Sequence, residues 1–427
     1  MTPMTTDLSP LRDAEVMRAF SRRSSARSVN QITRRLFFST GVLSLLSWTR
    51  LGRTLGRERV TDLLAQPVYV PQDFLGMHFH RWPFGKPVSP APTYRYGTVR
   101  SHDFSGLNKG IKWGDIHVAA GQYDWSVLDR WVDAHVQQGK ALLYTVYGTP
   151  AWLTTAPERR DPYWHPGGSA PPRSLQPLAE FITALVARYN TPSQRRISMI
   201  EIWNEPNFVD NTKPEEFWLG SSTELAAMGR VVYRSAKGAD RGIRVLSPGF
   251  TGNLIGSYRS GDPDLRHAQD SVVVQYMKAS DGAGGIGVHW CDAVAFHAYN
   301  ANLTGAPEGI GHRIRMLREI LEHLKAPAPL YCTEAGFMPN TTFARGSETD
   351  RVVQLRRLAA QVAALGVSGL YLYAHDDEFV GNPSQHPGIA AAIDSIYASL
   401  AGRQLLQASL HGDGAVRVQT DKEILLW

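Results

Sequence analysis

The run Ile200-Glu201-Ile202-Trp203-Asn204-Glu205-Pro206-Asn207-Phe208 passes from apolar residues to polar ones and then to a proline. Apolar residues through Ile202 read as a strand buried on both faces, and Pro206, with no amide hydrogen to give a ladder, bars its continuation. Glu205 is thereby placed at the carboxyl end of a strand, where parallel barrels gather their reactive groups. Leu330-Tyr331-Cys332-Thr333-Glu334-Ala335-Gly336-Phe337 has the same build and puts Glu334 at the end of another strand. Two carboxyl groups so placed suggest a proton donor and a nucleophile.

From Val68 onward, strand-like and helix-like segments alternate, the pattern of a parallel α/β protein. Eight strands are predicted: Phe74 to His80, Tyr96 to His102, Ala141 to Tyr147, Ile197 to Trp203, Arg244 to Pro248, Ala293 to Tyr299, Pro329 to Thr333, and Val367 to Ala374. Helical periodicity separates most of them, over Trp125 to Gln138, Leu175 to Tyr189, Thr223 to Lys237, a segment around Met277, Arg313 to Leu324, Thr349 to Leu365, and Ile389 to Leu400. The expectation is an α/β fold, a (β/α)8 TIM barrel spanning residues 67–403, with an open doubly wound sheet as the competing arrangement. The tail, residues 404–427, alternates around Gln419-Thr420-Asp421-Lys422 and is expected to form a short β-hairpin packed on the barrel.

Residues 1–66 read as an address, not a fold. Thr33-Arg34-Arg35-Leu36-Phe37-Phe38 sets an arginine pair before an apolar run that ends at Trp48, too short to span a bilayer at about 20 residues. The stretch resembles a twin-arginine export signal, which implies an exported protein, periplasmic or extracellular, with no stable membrane span. A disordered basic arm and an uncleaved membrane tether are the alternatives, and the cleavage point stays open. The net charge of +6 is concentrated in this arm, and no basic helix or basic-aromatic module accompanies it, which argues against a nucleic-acid partner. The two cysteines, Cys291 and Cys332, are no disulfide framework and are expected as buried free thiols, with a single bridge as the other option.

His78, His80 and His102 look like metal ligands on paper, but no compact ligand motif contains them, so neither a metal nor any other cofactor is expected. Trp82, Trp152, Trp164, Phe208 and Trp218 follow strands or fall in loops, where a large ring either covers a ligand or packs loops together.

Trp203-Asn204-Glu205-Pro206 resembles the fourth-strand motif of the clan A retaining glycoside hydrolases, whose acid/base and nucleophile are glutamates on strands four and seven. Val99-Arg100, Gly148-Thr149-Pro150-Ala151-Trp152-Leu153, His297-Ala298-Tyr299 and Thr333-Glu334-Ala335-Gly336 are similar to further motifs of that clan. The spacing of Trp113, Gly121-Gln122-Tyr123-Asp124-Trp125 and Leu128-Asp129 looks most like glycoside hydrolase family 39, with family 5 cellulases as second choice. The chain departs from many relatives in lacking an accessory β-sandwich and in carrying Tyr371-Leu372-Tyr373-Ala374-His375 where they have a tryptophan. The resemblance implies β-glycosidic cleavage of a polysaccharide or oligosaccharide by double displacement, with Glu205 as acid/base and Glu334 as nucleophile. It also implies that Arg100, Trp152, Asn204, His297 and Tyr299 line the substrate site, with Arg100 and Tyr299 holding Glu334 oriented and ionised. A non-catalytic carbohydrate-binding barrel is the alternative. The sequence leaves sugar, linkage and oligomeric state open.

Overall fold

The computed structural model describes residues 60–85, 87–106, 109–163, 165–206, 216–262, 265–299, 309–337 and 346–427. Residues 1–59, and with them the arginine pair and its apolar run, lie outside the described residues, as do Trp164, Asn207 and Phe208.

All eight predicted strands are present. They are β1 (Leu75–His78), β2 (Thr98–Arg100), β3 (Ala141–Thr145), β4 (Met199–Glu201), β5 (Arg244–Leu246), β6 (Val294–Tyr299), β7 (Leu330–Gly336) and β8 (Gly369–Leu372). They pair in parallel in the order β5-β4-β3-β2-β1-β8-β7-β6. Bridges from Leu246 to Ala293 and from Phe250 to Phe296 join the two ends. The sheet therefore curls into a TIM barrel, and an open sheet is ruled out by those bridges.

Among the described residues, besides the single turn Trp113–Ile116, seven helices stand between or after the strands: α1 (Ser126–Val136), α2 (Gln176–Tyr189), α3 (Ser222–Ala239), α4 (Val272–Lys278), α5 (Ile310–His323), α6 (Glu348–Ala364) and α7 (Pro387–Leu400). Local chemistry sets several starts. Ser221 Oγ accepts the Glu224 amide while the Glu224 carboxylate accepts the Ser221 amide, and Ser347 with Asp350 does the same for α6. Among the described residues no helix lies between β1 and β2. No helix there is long and apolar enough to cross a membrane.

Alternate residues of each strand point into the barrel. Leu143, Met199, Leu246, Ala293, Ala295, Tyr331 and Tyr371 form one buried apolar cluster. Two positions further along β3, β4 and β6 come Thr145, Glu201 and His297, and Arg100 ends β2. The barrel thus has an apolar floor and a polar upper layer, and the strand-period rule puts both on the same face.

The tail is more than a hairpin. Three antiparallel strands, β9 (Gln404–His411), β10 (Val416–Thr420) and β11 (Ile424–Leu426), are joined by Val60–Asp62 and Val68–Tyr69, which both pair with β9. Residues 60–62, placed by their sequence in the arm, form an edge strand of this sheet. All three are exposed, so no hydrophobic alternation announced them. Both cysteines are free thiols.

Candidate active site

Glu205 closes the fourth βα unit in a left-handed conformation, φ +44°. Such a conformation is costly for a residue with a Cβ and persists only where its surroundings fix it. The fixing comes from the neighbouring strand end. The Glu205 amide donates to the Gly249 carbonyl at 2.9 Å, and the Gly249 amide donates to the Trp203 carbonyl at 2.8 Å. Pro206 then removes the next amide from the ladder. The Glu205 side chain is left 17% exposed, facing the barrel mouth.

Glu334 reaches the same place by a different device. Tyr331 points into the barrel, so strict alternation would turn Thr333 inward and Glu334 outward. Instead β7 carries one extra residue relative to both neighbours, with register shifts between Phe296 and His297 and between Cys332 and Ala335. The bulge turns Glu334 into the site, a recognised use of such irregularities. The Thr333 carbonyl it frees from the ladder lies 2.9 Å from His78 Nε2.

The two carboxylates and His297 form one cluster. A carboxylate oxygen of Glu205, an imidazole nitrogen of His297 and a carboxylate oxygen of Glu334 all lie within 4.8 Å of one another. His297 Nδ1 is 2.7 Å from Glu205 Oε1 and 3.5 Å from Glu334 Oε2. The Tyr299 hydroxyl donates to Glu334 Oε2 at 2.5 Å, and Arg100 Nη1 donates to Glu334 Oε1 at 2.5 Å. Arg100 is fully buried, and its guanidinium also donates to Glu201 Oε2 through Nε at 2.8 Å and through Nη2, and to Asn204 Oδ1 through Nη2 at 2.8 Å. With its oxygen turned to the guanidinium, Asn204 has an amide NH2 that donates to no group among the described residues. The three atoms of the cluster have the spacing of metal ligands, while both oxygens of Glu334 are already engaged by a guanidinium and a hydroxyl.

Burial is the largest influence on ionisation here. It pushes the Glu334 carboxyl above its ordinary value; His297 and Arg100 pull it back, and Glu205 and Asp103 push it further up. The downward pull expected from Arg100 is therefore present but outweighed, because desolvation of a carboxylate in the barrel is the larger effect. Burial also disfavours a charged His297, yet the neighbouring Glu334 and Glu205 raise its pKa above the usual imidazole value. Tyr299 is held protonated by burial and by Glu334, so it can only donate to that carboxylate.

Of the sequence-derived candidates, Arg100, Asn204, Glu205, His297, Tyr299 and Glu334 are brought into this one network. Trp152 is not. Its indole N–H donates to the His117 carbonyl at 2.8 Å and its ring stands edge-on to His117, with centroids 5.0 Å apart. Trp82 packs on Phe79 just after β1 and on His135 of α1, and Trp218 packs on Trp203 just after β4, so both rings are buried in packing contacts. His78 and His102 are buried, which lowers their pKa values, and bond to the Thr333 carbonyl and the Tyr163 hydroxyl.

Two residues escaped the sequence reading. Glu201, fully buried, accepts from Arg100 and from the Thr145 hydroxyl at 2.9 Å. Its signal was a carboxylate inside an otherwise apolar strand, a position that demands a cationic partner. Asp103 accepts the Tyr163 hydroxyl at 2.6 Å and is held ionised against burial by His102 and Lys112. It follows Arg100-Ser101-His102 just past the end of β2, where catalytic side chains collect.

No protein-family model matches the chain, and no curated protein matches it in sequence. Solved structures do match in fold. A monomeric beta-xylosidase from Caulobacter crescentus CB15 is 18% identical with a TM-score of 0.55, covering 84% of this chain and 74% of that one. A glucosidase from Croceicoccus marinus is 15% identical with a TM-score of 0.54, covering 84% and 77%. A family 39 glycoside hydrolase from the gut symbiont Bacteroides cellulosilyticus WH2 is 17% identical with a TM-score of 0.51, covering 83% and 71%. At these identities the likeness is one of fold, and the fold is the one that the motif resemblance implied.

Proposed function

We propose that the chain is a retaining glycoside hydrolase of clan A, most like family 39, that cleaves β-glycosidic bonds in an oligosaccharide or polysaccharide. One observation carries the reading. One carboxylate oxygen of Glu205 lies within 4.8 Å of one of Glu334, the first group partly exposed beside an imidazole and the second buried against a guanidinium and a phenol. Retaining glycosidases hold their carboxyl groups about 5 to 5.5 Å apart, whereas inverting ones leave room for water at about 6.5 to 9.5 Å.

In the first step Glu205 gives its proton to the glycosidic oxygen as the bond from that oxygen to the anomeric carbon breaks. A Glu334 oxygen forms the new bond to that carbon. In the second step Glu205, now a carboxylate, takes a proton from water while the water oxygen attacks the anomeric carbon. The ester to Glu334 breaks, and both carboxyls return to their starting states. Arg100 and Tyr299 donate to the two Glu334 oxygens, which fixes the attacking carboxylate in place and favours its anionic form. The Asn204 amide is a donor for the sugar 2-hydroxyl, a contact that strengthens in the transition state.

The test is turnover of a panel of β-linked aryl glycosides by the intact protein and by Glu334→Gln. Release of the aryl group by the first and not by the second is expected. Binding of sugars with no turnover of any member would favour the non-catalytic barrel instead.

A further inference from the structure

Two buried polar atoms in the barrel have no place in the steps above. Glu201 Oε1 and His297 Nε2 are both shielded from solvent, and neither has a hydrogen-bond partner among the described residues. Their opposite ends are engaged, Glu201 Oε2 by Arg100 and Thr145 and His297 Nδ1 by Glu205. Both orphaned atoms face Gly249. A Cβ at that position would lie 2.5 Å from His297 Nε2 and 2.8 Å from Glu201 Oε1, so no other residue leaves them room. Gly249 is also the residue whose carbonyl fixes the Glu205 amide. Buried polar groups are rarely left unpaired, and the usual link between two of them that do not touch is one ordered water.

We propose that Glu201 is a positioning residue for the acid/base group, joined to His297 Nε2 through a single buried water beside Gly249. The link holds the Nε2–H form of the neutral imidazole. His297 Nδ1 then accepts from Glu205 when Glu205 carries the proton, and donates to it when the imidazole carries the proton. One proton moves along the 2.7 Å line between Nδ1 and Glu205 Oε1, and the ring never has to turn. Without Glu201 the neutral ring is free to place its hydrogen on Nδ1, where it would donate to the Glu205 carboxylate and oppose the acid form. Among the described residues the charged groups acting on His297 are Glu205 on its Nδ1, Glu334 at 3.5 Å, and the Arg100 guanidinium. Glu334 and Glu205 favour the imidazolium and Arg100 opposes it; the proposed water adds Glu201 as a third carboxylate on the favourable side.

The role assigned to Glu205 rests on the glycosidase reading, but the link itself is measured without substrate. In protein with 15N-labelled histidine, two-bond 15N–1H spectra across pH report tautomer and titration midpoint for each ring, and His297→Asn identifies the signal. Once the shared proton is lost, the Glu205 carboxylate 2.7 Å away itself holds a hydrogen on Nδ1, so the tautomer is read in Glu205→Ala, where the neutral His297 should carry its hydrogen on Nε2. In Glu201→Gln, which keeps an oxygen for Arg100, the His297 midpoint should fall by about one pH unit, the size of effect that one nearby carboxylate exerts. Gly249→Ala added to Glu205→Ala, which presses a methyl group between the two atoms, should abolish the tautomer preference. A neutral His297 protonated on Nδ1 in folded Glu205→Ala would overturn the proposal, and so would an unmoved midpoint in folded Glu201→Gln. The spectra can fail in a protein that cleaves glycosides, and can succeed in one that cleaves none, so the two readings fall separately.

Discussion

Arg100→Met removes the one cation that two buried carboxylates share, and its effect can be worked from the contacts. The guanidinium is fully buried and bonds to Glu201, Glu334 and Asn204. Methionine fills most of the same volume with no charge, so the loss is chiefly electrostatic. Breaking a buried pair by removing one partner costs about 3 to 5 kcal/mol, and two orphaned carboxylates put this case at the upper end. At about 2 °C or slightly more per kcal/mol for a chain of this size, the melting temperature should drop by roughly 10 °C near neutral pH. The deficit should depend on pH in a stated direction. Burial already raises Glu334, and removing Arg100, which lowers it, moves it higher. A carboxyl whose folded pKa is raised contributes stability that is complete below its unfolded value and lost as pH rises through the folded one. The variant should therefore lie closest to the parent at about pH 5, where a proton replaces the lost cation, and furthest from it at about pH 8. Calorimetry of both proteins at the two pH values measures this. A deficit equal at both, or below about 1 kcal/mol at the higher pH, would show that the guanidinium is not the counter-charge of this site.

Glu205→Gln and Glu334→Gln should part company on leaving groups. With an aryl group too acidic to need protonation, the first variant should keep its glycosylation step and the second should lose about all turnover; equal losses on activated and unactivated substrates would undo the role assignment. A second pH effect belongs to the loop after β3. Burial disfavours a charged His165, but bonds to Asp115 and Asp161 more than offset this and raise its pKa to about 9. A raised imidazole contributes stability that is complete below its unfolded value of about 6.5 and is lost as pH rises through the folded value. Thermal stability should therefore decline between pH 7 and 10 in the parent and decline less in His165→Gln; parallel curves would refute the clasp.

Much of this molecule was legible in its residues, for physical reasons that also explain what was not. Every barrel strand was found because a strand covered on both faces must be apolar, and helix periodicity separated them. Glu205 was found because a proline fixes where β4 ends. Glu334 was found by its position alone, while the reason it faces the site was hidden. By alternation from Tyr331 it belongs outside, and the extra residue that turns it inward is a property of pairing with β6 and β8, which one strand cannot report. Glu201 was quoted but not understood, since its partner Arg100 is distant in sequence and meets it only when the barrel closes. The sequence left the tryptophans undecided for a similar reason. Trp82 and Trp218 follow strands as ligand-covering rings do, and only their packing against Phe79, His135 and Trp203 shows that protein side chains cover them instead. The edge strand at Val60–Asp62 has no apolar alternation and takes its structure from β9.

The central claim is that Glu205 and Glu334 act by double displacement, and the anomeric configuration of the first product tests it most directly. Proton NMR of a β-glycoside digest, recorded before mutarotation, should show the β-anomer appearing first. An α-anomer appearing first would contradict the mechanism even if both glutamates proved essential.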